Sequence, residues 1–256
     1  MGPGIGPREH IFLHGLFLNL CLRYRESTKD QCYDPLIHRV ALALARSFRQ
    51  SETGILPSYP GMYWPADNLP ALSALVRYDR AFHQDLAVVK IPFLNQLRSR
   101  YLDRRGLVSS YIDPNRHRVL QGGRGISVSY ALHFLPDVDS ALAAEQYGLF
   151  KRHLLRQAMG FAAVREFPEG EPPEIDVDSG AVVLGLGTAA SGFAVAAAAI
   201  MRDEPLTEAL LRSVAIAGLP RLGEGELQYH AMPPVGQAVI LFGKTERLIS
   251  QGPPIK

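Results

Sequence analysis

The chain has 256 residues, 47% of them hydrophobic and 20% charged, with Lys+Arg 27 against Asp+Glu 25. This is globular composition and excludes a disordered or collagen-like chain, and the lack of a concentrated basic run sets nucleic-acid binding aside. Two cysteines, Cys21 and Cys32, make neither a disulfide scaffold nor a zinc site, and Met1 to Glu9 lacks the charged-then-apolar form of a secretory signal, so a cytoplasmic location is expected.

The apolar spacing is helical almost throughout. His10 to Arg25 is predicted as a helix with Ile11, Leu13, Leu16, Phe17, Leu20 and Leu22 covering most of its circumference, hence deeply buried. Pro35 to Phe48 follows, with Pro35 in a first-turn position and Leu36, Val40, Leu44 and Phe48 at i, i+4 spacing. Asn68 to Phe82 and Leu86 to Leu102 form the next pair. Strand character is confined to Gly106 to Leu120, where the turn Asp113-Pro114-Asn115 predicts one small hairpin. A helix from Gly125 to about Phe134 precedes a long one from Ser140 to Val164. Gly180 to Met201, Pro205 to Ala217 and Val235 to Ile249 complete the set.

Every second helix is approached through a Gly, Pro or aromatic loop with polar residues at its mouth: Arg8 to His10, Tyr59 to Asn68, Gln121 to Gly125, Glu174 to Gly180 and Gln228 to Pro234. The intervening helices are amphipathic and carry the charge. Buried helices with polar loops at one end, alternating with amphipathic ones, describe an all-α fold, an (α/α) toroid of helical hairpins forming one domain over residues 1–256. The hairpins are too few for a full ring, so the toroid is complete or incomplete according to whether N-terminal helices are missing or supplied elsewhere.

Gly180 to Met201 is uncharged and long enough to span a bilayer, but its Ala, Gly, Ser and Thr content fits a close-packed inner helix better than lipid. A membrane association is expected only through missing N-terminal segments. Within the same stretch Gly185-Leu186-Gly187-Thr188-Ala189-Ala190 imitates a dinucleotide fingerprint, yet no following strand leads to an acid, and close helix packing explains the glycines.

The loop from Pro57 to Asn68 holds Tyr59, Tyr63 and Trp64 and delivers Asp67 to the start of a helix. Asp67 or Asn68 as a helix N-cap is the plain structural alternative. Beside aromatic rings, a carboxyl group is suited to general acid work near neutral pH. Asp176 and Asp178 fall on one side of an extended segment, either as a paired-carboxylate site or as a cap with a solvated neighbour. His10 and His14 share a helix face, Arg124 in a Gly-rich loop can hold an anionic group or pair with Asp67 or Asp178, and Tyr229-His230 offers a phenol and an imidazole at the last inner helix. No metal set, P-loop or nucleophile elbow is present, and no cofactor is expected.

In order along the chain, His10 with Gly15-Leu16-Phe17, Gly54-Ile55-Leu56 through Asn68, Tyr78-Asp79-Arg80, Ile126-Ser127, Asp176 to Gly187 and Gln228-Tyr229-His230 resemble the motifs of the linalool dehydratase/isomerase-like family. That resemblance implies an (α/α) toroid with its pocket at the loop-bearing mouth. The family's characterised enzyme dehydrates and isomerises a monoterpene alcohol, with two cysteines implicated in acid–base work. Registered on Tyr78-Asp79-Arg80, the second cysteine position is Asp67 here and the first falls near Pro57 or Ser58, so both thiols are absent.

The expected function is therefore a cofactor-independent lyase or isomerase acting on an alcohol, a small-molecule substrate. Asp67, His10, Asp178, Tyr229 and His230 are the catalytic candidates; Tyr59, Tyr63, Trp64, Arg124 and Asp176 are the substrate-binding ones. A carbohydrate-active enzyme, glycosidase or epimerase, is the alternative by fold analogy, with Asp67 and Asp178 as acid and base. A non-catalytic binding domain is the third. A homo-oligomer is compatible with each.

Overall fold

The computed structural model describes residues 10–172, 180–223 and 225–251. In chain order these form α1 (Ile11–Thr28), α2 (Asp34–Arg49), α3 (Pro65–Phe82), a 3-10 turn (Ala87–Val89), α4 (Lys90–Arg100), β1 (Tyr111–Asp113), β2 (Arg118–Gln121), α5 (Gly125–Ala131), α6 (Leu135–Val138) and α7 (Ser140–His153). The order continues with β3 (Leu155–Ala158), β4 (Phe161–Val164), β5 (Val182–Val183), β6 (Leu186–Gly187), α8 (Thr188–Ile200), α9 (Glu204–Ala217), β7 (Pro220–Gly223), β8 (Glu226–Tyr229) and α10 (Pro234–Gln251). The strands pair only as four antiparallel hairpins among the described residues. Two compact units result, one running to Gly123 and including Phe134–Ala143, the other comprising Arg124–His133 and the chain from Ala144 onward.

In the first unit α1 and α3 run in the same direction at backbone contact. A Cβ on Gly15 would lie 2.4 Å from the Ala71 nitrogen, so only glycine permits this approach. Asn19, buried, donates through Nδ2 to the carbonyls of Pro70 at 2.6 Å and Gly15 at 3.1 Å. Toward the C-terminal ends Arg77 reaches Glu26 at 3.9 Å, which fixes the parallel sense. The α1 prediction needs correcting: Ile11, Gly15, Leu18, Asn19, Cys21 and Leu22 are buried, but Leu13, Leu16, Phe17 and Leu20 are exposed, Leu20 by 67%. Only one stripe of the helix meets packed neighbours, so apolar content on the other side did not mean burial.

Acceptor side chains tie the loops of this unit to its helices. Asp79 takes the N–H groups of Leu86 (2.9 Å) and Ala87 (2.7 Å), stopping the chain after α3. Asp103 takes those of Arg105, Leu107 and Gly123. The predicted hairpin is present as β1–β2, with a bulge between Tyr111 and Ile112 and Asp113 accepting from the Asn115 and Arg116 N–H groups in its turn.

The second unit departs most from the sequence reading. The helix expected over Ser140 to Val164 ends at His153, and the rest folds as β3–β4 around Met159 and Gly160, both in the left-handed region (φ 51 and 80). Side chains from neighbouring helices hold that ribbon: Ser213 accepts from the Ala162 N–H at 3.1 Å and Ser191 from the Val164 N–H at 3.0 Å. Likewise the helix expected from Gly180 begins at Thr188, because residues 182–187 form β5–β6 about Leu184 and Gly185 (φ 53 and 80). Gly185 thus serves a hairpin turn. A fourth hairpin, β7–β8, precedes α10. Helix α8 is lined with buried alanines, and α10 reaches it through Gly243, where a Cβ would lie 2.8 Å from a Val195 methyl. No helix among the described residues is long and apolar enough to cross a membrane.

Candidate functional site

The N-terminal ends of α1 and α3 carry the aromatic loop. Its course is set by Asn68, fully buried in α3, whose Oδ1 accepts from the Leu56 N–H at 2.8 Å and whose Nδ2 donates to the Leu56 carbonyl at 3.0 Å. This two-way clamp mimics a strand pairing and holds the loop against the helix. The residue in the N-cap position of α3 is Trp64, with no side-chain cap bond, so that position is taken by neither Asp67, which lies in the first turn, nor Asn68.

From that anchor the rings line up. His10 meets Tyr59 edge-on with centroids 5.9 Å apart, Phe12 meets Tyr59 at 5.7 Å, and Tyr59 meets Trp64 edge-on at 5.6 Å. Trp64 then stacks on Tyr111 of β1 at 5.3 Å. The separations, with two contacts edge-on and one stacked, are those aromatic quadrupoles favour. The Ile112 N–H donates to the Tyr63 carbonyl at 3.1 Å, which fastens the loop to the hairpin. Between them opens a cleft of about 490 Å³, bordered by Tyr63, Tyr111, Asp113, Arg116, Arg118 and Leu120 among others. That size accommodates a small organic ligand. Asp67 lies half-buried in the first turn of α3, its N–H donating to the Trp64 carbonyl at 3.1 Å. Thus His10, Tyr59, Tyr63, Trp64 and Asp67 belong to one locality, and Tyr111 and Asp113 join it. Tyr111 was legible only as one more apolar position in a hairpin, since nothing local marks which ring will stack on Trp64.

The second unit holds another buried polar group. Arg124, 2% exposed, ends the loop before α5, and its Nε lies 3.7 Å from Oε1 of the fully buried Glu166. The backbones are also joined, the Gly125 N–H donating to the Glu166 carbonyl at 2.7 Å and the Glu166 N–H to the Gly185 carbonyl at 3.0 Å. Gly187 leaves room for the carboxylate, as a Cβ there would stand 2.4 Å from Glu166 Oε2. Glu166 was missed in the sequence, which offered Asp67 or Asp178 as partners of Arg124. A lone acid between a strand and Phe167-Pro168 gives no local sign of burial.

Tyr229 is buried in β8, and its hydroxyl accepts from Lys244 Nζ at 3.0 Å, the ammonium also lying 5.3 Å from the ring centre. His230 is exposed. Asp176 and Asp178 lie outside the described residues. His14 bonds through Nδ1 to the His10 carbonyl at 2.9 Å. Among the described residues no group of three His, Cys, Asp or Glu side chains is placed to hold a metal ion.

No family model matches the chain, and no curated protein matches it. A solved structure described as a glycoside hydrolase from family 105 of C. acetobutylicum ATCC 824 is similar over 96% of this chain and 96% of its own, with a TM-score of 0.56 and 11% sequence identity. Likeness at that identity is a likeness of fold, and it establishes the fold class: the chain is built as helical hairpins of the (α/α)-toroid type.

Proposed function

We propose that the chain is a carbohydrate-active enzyme that hydrolyses a glycosidic bond at the aromatic rim of its first unit. The observation that carries this is the contiguous ring series Tyr59–Trp64–Tyr111 beside a cleft edged by Asp113. Flat aromatic faces stack on the C–H surface of sugar rings, while carboxylates grip hydroxyls and move protons. The fold neighbour, itself described as a glycoside hydrolase, adds support by analogy of fold.

In this reading a sugar ring lies against Tyr63 and Tyr111. Asp67 in its protonated form gives a proton to the leaving oxygen as the bond to the anomeric carbon breaks. Asp113, held 3.4 Å from Arg116, takes a proton from the attacking water, whose oxygen bonds to that carbon. Water is consumed, and the two carboxyl groups regain their starting states by exchange with solvent. The alcohol chemistry implied by the resemblance to the linalool dehydratase/isomerase-like family finds no counterpart in the comparisons.

The test is turnover of aryl glycosides and reducing oligosaccharides by the purified chain and by Asp67→Asn and Asp113→Asn. Asparagine at 113 still accepts the turn N–H bonds, so that variant keeps its fold. The expected result is saccharide hydrolysis falling about 100-fold or more in Asp67→Asn with an unchanged melting temperature. Activity undiminished in Asp67→Asn overturns the site. Turnover of acyclic terpene alcohols, with none of any saccharide, overturns the hydrolase reading.

A further inference from the structure

We propose that the first unit carries an anion site for a phosphoryl group at the end of α1 and α3 away from the aromatic rim. There the C-terminal turns of the two parallel helices enclose a cleft of about 320 Å³, lined by Arg25, Glu26, Lys29, Gln31, Arg77 and Arg80 among others. Four cations face one carboxylate on the lining.

Two of the guanidinium groups are fixed in advance. Arg25 is held by Asp34, Nε to Oδ1 at 2.7 Å, and lies over the Phe82 ring at 4.6 Å. Arg77 is held by Asp137 at 2.7 Å. Arg80 leans on the same Asp137 at 3.4 Å with its side chain 65% exposed, and Lys29 Nζ donates to the Glu26 carbonyl at 2.8 Å. Asp34 and Asp137 offset two of the charges from behind. The donor count, in contrast, is lopsided, because each guanidinium carries five N–H donors and an ammonium three.

Basic residues in last helical turns complement the negative end of the helix dipole, which accounts for Arg25 and Arg80. It does not account for Arg77, one turn earlier, or for an open volume in front of all four cations. A tetrahedral oxyanion supplies several acceptor oxygens within one small radius and matches planar guanidinium forks. Because three carboxylates surround the four cations, binding is weak and falls as salt rises.

Calorimetric titration of the full chain with inorganic phosphate and with methyl phosphate tests this, beside Arg80→Gln, Lys29→Gln and Arg77→Gln. The first two replace exposed side chains and leave the fold intact, so they keep the test valid if Arg77→Gln unfolds. Saturable phosphate binding that weakens roughly tenfold in Arg80→Gln, the loss of one charge-assisted bond, supports the site. Tighter binding of methyl phosphate than of phosphate identifies an ester as the source, and the reverse identifies the free ion. No saturable binding, binding unchanged in both exposed variants, or equal affinity for citrate overturns the phosphoryl assignment.

Discussion

The two units solve the same difficulty, how to hold long loops against helices, with different chemistry. In the first, acceptor side chains reach out to bare backbone N–H groups: Asn68 to Leu56, Asp79 to Leu86 and Ala87, Asp103 to Leu107 and Gly123. These acceptors sit on or beside elements that follow ordinary sequence rules, and one hairpin suffices. In the second, the β3–β4 and β5–β6 hairpins lie against α8 and α9 while β7 stands exposed, and a buried ion pair, Arg124 with Glu166, stands where the first unit uses side-chain acceptors for backbone N–H groups. A clamp built on a neutral amide, as at Asn68, loses a bond or two when broken. A clamp built on buried charge leaves an uncompensated ion.

The sharpest way to break the comparison is Arg124→Met. With Glu166 left charged and fully buried, the loss should be about 3–5 kcal/mol in urea unfolding, whereas Arg124→Met with Glu166→Leu should recover much of it. A double variant no better than the single one would mean that the pair is not the unit of stability. Next comes Asn68→Ala, which strands the N–H and carbonyl of Leu56 inside the protein. It should cost about 2–3 kcal/mol and, on the proposed function, activity as well, because the aromatic loop hangs from it. Equal losses at Asn68 and Arg124 would erase the distinction between the units.

Gly187→Ala should cost about 1–3 kcal/mol, since the new methyl meets the Glu166 carboxylate. Pairing it with Glu166→Ala should make the second change cheaper than it is alone, measurable as coupling in a double-mutant cycle. The smallest effect concerns acid. Burial pushes the Asp203 carboxyl up, but hydrogen bonds from Lys151, Tyr147 and the Leu206 N–H together bring it below its usual 3.8. A carboxyl group lowered by folding stabilises the protein above its unfolded value and loses that contribution as pH falls through the folded one. Melting temperatures of wild type and Asp203→Asn should therefore differ at pH 6 and converge below 3.8. Asp139, lowered against its own burial by the Leu142 N–H and Arg98, provides the matching case in the first unit.

What could be read from the sequence follows the same division. Helices α1 to α3 and the β1–β2 hairpin were legible because periodicity and Asx turns act over a few residues. So was the gathering of His10, Tyr59, Trp64 and Asp67, since one loop carries three of them. The β3–β4 and β5–β6 ribbons were not, because Gln157-Ala158-Met159 has good helical propensity. Its hairpin depends on serines 191 and 213, far away in the chain, to receive the ribbon's N–H groups. The burial of Glu166 escaped for the same reason, its environment being assembled from Arg124, Gly125, Gly185 and Gly187.

The backbone-to-backbone seam at Gly15 and Ala71 also has a mechanical meaning. Two helices with interdigitating side chains can slide by fractions of a turn as rotamers exchange, but at Gly15 backbone meets backbone, and the Asn19 side chain bolts the seam to the Pro70 carbonyl. The pair behaves as a rigid strut about 27 Å long, the span of eighteen helical residues. Whatever docks at one end of that strut cannot be transmitted to the other by shear. The aromatic rim and the basic cleft should therefore respond to their ligands as independent devices.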